Sequence, residues 1–505
     1  MESECGGRSK GVAGLVGGAL VAALLSTGVW GGLRWLAPIC VAVVAVVVAA
    51  WQRRARREPS PETPATSGGA GAGEDGTISR RVVLGGLGLG VAAVAGGAGF
   101  YLATRYPAGS AHRGALAIIG GTVLVGPGLD PRRATVVVRD GVIEDVGDLD
   151  VPGDATVLDA DGATILPGLI DLHVHVGSPE LDAGEEPGLL AMPGLVADWV
   201  RYFPRHRRSA LEHGVTAVRS LGDEHPWIAD LRRQVGDRDL EGPRLFLAGP
   251  MFTTRGGHPV ATFGADPDGD AVRVPTTPAS ARAAVRALAT ADDPVDLVKV
   301  VQERGGPDRA LEPLTTDVLE AIVDEAHAQG FAVTAHWGTF DDLRELLNAG
   351  VDGLEHLDSR DLLEGWPDDV LAELVDRGLP VTATLAVAEA SLPEDVMGVL
   401  RERVGELHAV GGRVVVGSDA ARPGVGFGSG VHRELALLVD SGLTPRAALR
   451  AATSDAADVL GVGHIGAVEA GRAADLLVVD GDPLVDIDAL RDVRAVLRDG
   501  RRVVG

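Results

Sequence analysis

The chain has 505 residues, more than one ordinary domain needs and enough for a large catalytic domain with additions. Asp and Glu (71) outnumber Lys and Arg (46), and the net charge of −25 excludes a nucleic-acid binder, which would need a basic face, without specifying any other partner. Both cysteines, Cys5 and Cys40, fall near the N-terminus, so the large C-terminal part holds neither a disulfide nor a thiolate metal site.

Residues 1–106 contain three apolar runs. Gly11 to Trp30 and Leu36 to Trp51 come first, with Arg34 between them and Arg53, Arg54, Arg56 and Arg57 directly after. A membrane helix needs about 20 apolar residues, and positive clusters stay in the cytoplasm. Residues 1–57 therefore predict a transmembrane hairpin. Residues 58–78, rich in Pro, Gly, Ala, Ser and Thr, predict a flexible linker. Residues 79–106 start with Ser79-Arg80-Arg81-Val82-Val83-Leu84 and continue as a Gly/Ala-rich apolar run. They read either as a third transmembrane helix or as a segment that resembles a twin-arginine export signal, although such signals normally open a chain. In both cases the expected location is the cell membrane, with the C-terminal domain outside the cytoplasm.

From Ala115 the pattern becomes short β-like runs separated by Gly/Asp turns, such as Thr135–Val138, Asp140-Gly141 and Thr156–Leu158. The C-terminus repeats this style in Asp475–Val479, Val493–Leu497 and Val503-Val504. Residues 115–165 and 465–505 are therefore predicted to pair into one small β-sandwich domain.

Between these flanks, eight strand-like runs alternate with mostly helical stretches: Ile165–Val176, Val215–Leu221, Arg244–Ala248, Val295–Val301, Ala332–His336, Gly353–Leu357, Val381–Leu385 and Val414–Ser418. This pattern predicts an α/β fold, a (β/α)8 TIM barrel over residues 166–464. A doubly wound sheet fits less well, since no Gly-rich phosphate loop follows an early strand.

Catalytic groups of such barrels sit at the C-terminal strand ends. The first strand ends in Asp171-Leu-His173-Val-His175, and period-two alternation puts both imidazoles on one face, half of a metal site. The fourth strand carries Lys299, the one lysine of the large domain; Lys10 is the other in the chain. The fifth ends in His336, the sixth in Glu355-His356 and the eighth in Gly417-Ser-Asp419.

These motifs, with Pro167-Gly-Leu-Ile-Asp-Leu-His-Val-His175 and the late run Gly471-Arg-Ala-Ala-Asp-Leu476, resemble the amidohydrolase superfamily from about Ala115 to Gly505. The branch they are most similar to is the imidazolonepropionase-like and Xaa-Pro dipeptidase-like one. The resemblance implies two divalent metal ions, zinc first among them: His173, His175 and Asp419 hold one, and His336 and His356 hold the other. Lys299, carboxylated by CO2 to a carbamate, bridges them. Burial disfavours a charged lysine, which makes the neutral amine needed for a carbamate accessible. The resemblance also implies a metal-bridging hydroxide as nucleophile, with Asp419 as the catalytic proton carrier.

His258, in a Gly-Gly-His loop, and Arg304, after Lys299, are the candidate substrate-binding residues, the arginine for a carboxylate. Some dipeptidase relatives use a tyrosine after the fourth-strand lysine; none stands there in this chain. The expected activity is hydrolysis of an amide-type C–N bond in a small molecule, a dipeptide or a cyclic amide. The alternatives are a single-metal deaminase or imidazolonepropionase-like ring hydrolase, which gives Lys299 no role, and a non-catalytic membrane-tethered binding module. The expected partners are a small-molecule substrate and the membrane; a homo-oligomer is left open.

Overall fold

The computed structural model describes residues 114–178, 198, 202–307 and 309–505. The expected transmembrane hairpin, linker and third apolar segment lie outside the described residues. No helix among the described residues is long and apolar enough to cross a membrane.

Seven strands open the described chain: β1 (Ala115–Ile119), β2 (Thr122–Val125), β3 (Asp130–Arg133), β4 (Thr135–Arg139), β5 (Val142–Gly147), β6 (Thr156–Asp159) and β7 (Ala163–Pro167). Eight barrel strands follow: β8 (Leu169–Val174), β9 (Val215–Ser220), β10 (Arg244–Leu247), β11 (Leu297–Gln302), β12 (Ala332–Trp337), β13 (Gly353–Glu355), β14 (Pro380–Thr382) and β15 (Arg413–Val415). The chain closes with β16 (Leu476–Asp480), β17 (Val493–Arg498) and β18 (Arg501–Val504).

The two flanks share one sheet. Its order is β18-β17-β16-β7-β2-β3, and β16 runs antiparallel to β7, with Leu476 opposite Pro167 and Asp480 opposite Ala163. A second sheet, β5-β4-β1-β6, covers one side of it. Strand alternation explains how one sheet serves two cores. Leu476 and Val478 join Ile118, Val136 and Ile165 between the sheets, whereas Leu477 and Val479 point the other way and join Leu166 and Val496 in the barrel core.

The sequence predicted one continuous strand over Ile165–Val176. The chain breaks it at Gly168 into β7 of the sandwich and β8 of the barrel. A Cβ at Gly168 would stand 2.2 Å from Thr216 Oγ1, so a glycine is needed where the strand changes sheet.

The barrel strands pair in parallel from β8 to β10 and from β11 to β15. Asp296 N–H donates to Leu247 O (2.8 Å) across the first junction, and Leu172 N–H donates to Val416 O (3.0 Å) to close the ring. Helices separate the strands, and Phe340–Ala349 shows why they form. Thr339 and Asp342 make a reciprocal cap at its start, Leu343, Leu346 and Leu347 fall on one buried face, and Gly350 ends it at φ 88°. Each buried leucine contributes about 1.5–3 kcal/mol of transfer free energy.

Strands β13 and β14 are shorter than the expected Gly353–Leu357 and Val381–Leu385. His356 (φ 70°) and Thr384 (φ 50°) adopt left-handed backbone and turn the chain just beyond each strand, and Asp419 (φ 55°) does the same beyond β15. Non-glycine residues rarely adopt this region, and they concentrate at functional sites.

Candidate metal centre

His173 and His175 project from the end of β8 on one face, as period two requires, with ring centroids 5.4 Å apart. Asp419, arriving from the far side of the ring closure, places Oδ1 3.2 Å from His175 Nε2 and 3.6 Å from His173 Nε2. All three residues are buried, and their donor atoms lie within 4.8 Å of one another. His356 stands 4.7 Å from His173 and 4.8 Å from His336, centroid to centroid. His258 stacks on His336 at 4.8 Å with planes 2° apart.

Four of these imidazoles have one ring nitrogen already engaged, which leaves the other open; in His258 it is Nδ1, 2.8 Å from Thr262 Oγ1. His173 Nδ1 meets Glu355 Oε2 (2.8 Å), His356 Nδ1 meets Thr384 Oγ1 (2.9 Å), and His336 Nε2 meets Glu303 Oε2 (3.2 Å). Outer partners of this kind fix tautomer and ring orientation in metal sites. Burial pushes His173 down to about 4 and His258 down to about 2, so both stay neutral at working pH. Burial pushes the Asp419 carboxyl up, but Arg422, His173 and His175 outweigh it and hold it well below the usual range.

Lys299 is 2 % exposed on β11, and its Nζ has no hydrogen-bond partner. Burial lowers its ammonium to about 8, with Glu355 and Asp419 opposing. Asp419 Oδ1 likewise makes no hydrogen bond of good geometry. A buried amine and a buried carboxylate oxygen without partners are costly unless something else binds them. Neutral imidazoles with a carboxylate are the donor set of a divalent cation such as Zn2+. The residues therefore fit a metal at His173, His175 and Asp419.

Glu355 lies beneath the histidines, fully buried, and was not anticipated in this role. Its Oε1 accepts from Arg219 Nη2 (2.6 Å) and Thr334 Oγ1 (2.5 Å), and its Oε2 faces His173. Arg219 Nε also donates to Leu172 O (2.6 Å), which ties β9 to β8. A charged residue inside the otherwise uncharged strand Val215-Thr-Ala-Val-Arg-Ser220 was the available signal. Glu434, also fully buried, accepts from Ala386 N–H (2.7 Å) and so anchors the turn that carries Thr384.

Arg304, expected to meet a substrate carboxylate, has its guanidinium paired with Asp342 (3.1 Å) and Glu345 (2.7 Å) of the helix after β12. The arginine beside the site is Arg422, whose Nε lies 3.5 Å from Asp419 Oδ1.

Barrel, strand-end histidines and buried carboxylate together define a metal-dependent hydrolase. The chain belongs to the amidohydrolase family, whose model matches residues 164–503. An uncharacterized protein of Mycobacterium tuberculosis is 31% identical over 367 residues, covering 70% of this chain and 88% of its own. The ochratoxinase of Aspergillus niger is 25% identical over 428 residues, covering 75% of this chain and 84% of its own. Among solved structures, a prolidase complexed with N-methylphosphonate-L-proline is 27% identical, with a TM-score of 0.61 over 77% of this chain and 99% of that one. The similarity thus runs to the prolidase- and ochratoxinase-like branch, which narrows the branch expected from the motifs.

Proposed function

We propose that the protein hydrolyses an amide-type C–N bond of a small molecule, a dipeptide or cyclic amide, at a centre of two divalent metals. His173, His175 and Asp419 would hold one ion, His336 and His356 the other, and carboxylated Lys299 would bridge them. The observation that carries this reading is the buried, partnerless Lys299 Nζ, midway along β11, the strand next to the one bearing His336. Divalent cations there supply Lewis-acid polarisation of a carbonyl and a lowered pKa for water. In the net reaction water adds to the carbonyl carbon, the C–N bond breaks, and one water proton ends on the leaving amine. Asp419 Oδ1, free of other hydrogen bonds, is placed to carry that proton. Glu355 and Thr384 hold His173 and His356 in orientation, and His258, neutral and stacked on His336, walls one side.

The test is a panel of dipeptides, N-acyl amino acids and cyclic amides offered to zinc-, manganese- and cobalt-loaded protein. Release of a free amine, abolished by a chelator and by Asp419→Asn, is the expected result; no turnover with any metal would overturn the reading.

A second reading, a single-metal deaminase, draws support from one fact. Among the described residues, His173, His175 and Asp419 are the group of three or more side-chain ligands already gathered. Ammonia release at one metal per chain would favour it. For the whole chain, the reading includes a membrane-held N-terminus, 1–57 and 79–106, with the hydrolase domain outside the cytoplasm. Protease accessibility of the domain in intact cells tests that placement.

A further inference from the structure

The mouth of the barrel carries a circuit of side chains in which two members, Phe263 and Arg422, have no part in the metal reading. From His336, the His258 ring stacks outward, and Phe263 meets His258 edge-on with centroids 5.3 Å apart. The Arg422 guanidinium lies over the Phe263 ring, Cζ 4.8 Å from its centroid. Arg422 Nε then reaches back to Asp419 Oδ1 at 3.5 Å. The loop after β10 and the loop after β15 thus meet beside the candidate metal centre.

Two features of this circuit point to a ligand. Arg422 makes no side-chain hydrogen bond among the described residues, and its single ion partner is Asp419. That carboxylate also belongs to the candidate cation site, and a cation there competes for its charge. The planar guanidinium then presents an open fork, the geometry that takes a carboxylate through two parallel hydrogen bonds. Phe263 is 65% exposed, unusual for a large aromatic ring, and lies alongside that fork as an apolar surface.

Proximity supports the pairing. Arg422 Nε lies 3.5 Å from Asp419 Oδ1, so the guanidinium adjoins the carboxylate proposed to carry the proton. In an N-acyl amino acid the carboxylate carbon is two bonds, about 2.5 Å, from the amide nitrogen, so the group that binds the carboxylate must adjoin the group that serves that nitrogen.

We propose that Arg422 sets substrate specificity by binding a free carboxylate next to the scissile amide, with Phe263 lying against the adjoining apolar side chain. Within the hydrolase reading, on which this rests, open-chain N-acyl amino acids and dipeptides are preferred over cyclic or neutral amides. This also gives the carboxylate role expected of Arg304 to a different arginine.

The experiment uses the metal-loaded full chain and matched pairs, N-acetyl-L-phenylalanine against its C-terminal amide and N-acetyl-L-leucine against its own. The wild type is expected to favour each carboxylate. Arg422→Met should collapse the carboxylate-to-amide ratio of kcat/KM by roughly 10- to 100-fold, mainly through KM, with Arg422→Lys recovering part of it. Arg304→Met should leave the ratio unchanged, and metal content should match wild type in every variant. A wild type indifferent to the carboxylate, or an Arg422→Met that lowers kcat equally for both members of a pair, would overturn the proposal. Calorimetric binding of 3-phenylpropionate separates it from the hydrolase reading. If no substrate turns over, that reading fails, and loss of 3-phenylpropionate binding in Arg422→Met supports the carboxylate site while unchanged binding overturns it.

Discussion

Glu355→Gln tests how the centre is held, because one buried carboxylate does two separable jobs. It neutralises Arg219, itself 4 % exposed, and it fixes His173 through Nδ1. The substitution keeps the shape and removes the charge. Arg219 is left buried without its counter-ion, a change that costs about 3–5 kcal/mol when one partner of a buried pair is lost. Asp171 also favours the charged guanidinium, so the lower end of that range is expected. The amide can still meet His173, but as a weaker partner, and loss of outer-shell support typically lowers metal affinity about 10- to 100-fold. Urea unfolding would measure the first effect and competitive zinc titration the second. Adding Arg219→Met should restore most of the stability while leaving metal affinity low, because the orphaned charge is gone and the His173 clamp is not rebuilt. A Glu355→Gln protein with wild-type stability and wild-type zinc affinity would refute this reasoning, as would a double variant that recovers both together.

Burial pushes the Glu434 carboxyl up to about 8, above its ordinary 4.5, so its effect on stability depends on pH. Below about pH 4.5 both folded and unfolded states carry the proton; between there and pH 8 the unfolded chain releases it first, and stability falls as pH rises. Glu434→Gln should therefore gain on the wild type between pH 5 and 8, by at most about 5 kcal/mol, in urea midpoints taken across that range; a difference flat with pH would contradict it. At Gly417 an added Cβ would lie 2.4 Å from Thr382 Cγ2 and 2.7 Å from His173 Cβ. Gly417→Ala should cost about 1–3 kcal/mol by overpacking and weaken zinc binding by displacing His173, and a variant that binds zinc like the wild type would count against that placement.

Much of the barrel was legible because its signals are local. Alternation at His173 and His175 set their common face, and Lys299 stood out as the one lysine among the many arginines of the large domain. The break at Gly168 was hidden because Ala163–Val174 is apolar throughout most of its length; the need for glycine comes from Thr216, which only folding brings near. The Glu355–Arg219 pair spans 136 residues, and no spacing rule links them. Left-handed turns at His356, Thr384 and Asp419 shortened strands that hydrophobic pattern alone would extend. Arg304 and Arg422 look alike in sequence, each a few residues past a candidate ligand. What separates them is the helix Phe340–Ala349, which brings Asp342 and Glu345 to the first and no carboxylate to the second.

The most direct test of the central claim is metal content, by elemental analysis of the full-length chain with bicarbonate supplied, for the wild type, Lys299→Ala and His175→Ala. Close to two divalent ions per chain in the wild type, falling sharply in both variants, is the result expected of a lysine-bridged pair. One ion per chain, indifferent to Lys299→Ala, would contradict the bridge, and none in the wild type would contradict the metal-dependent site itself.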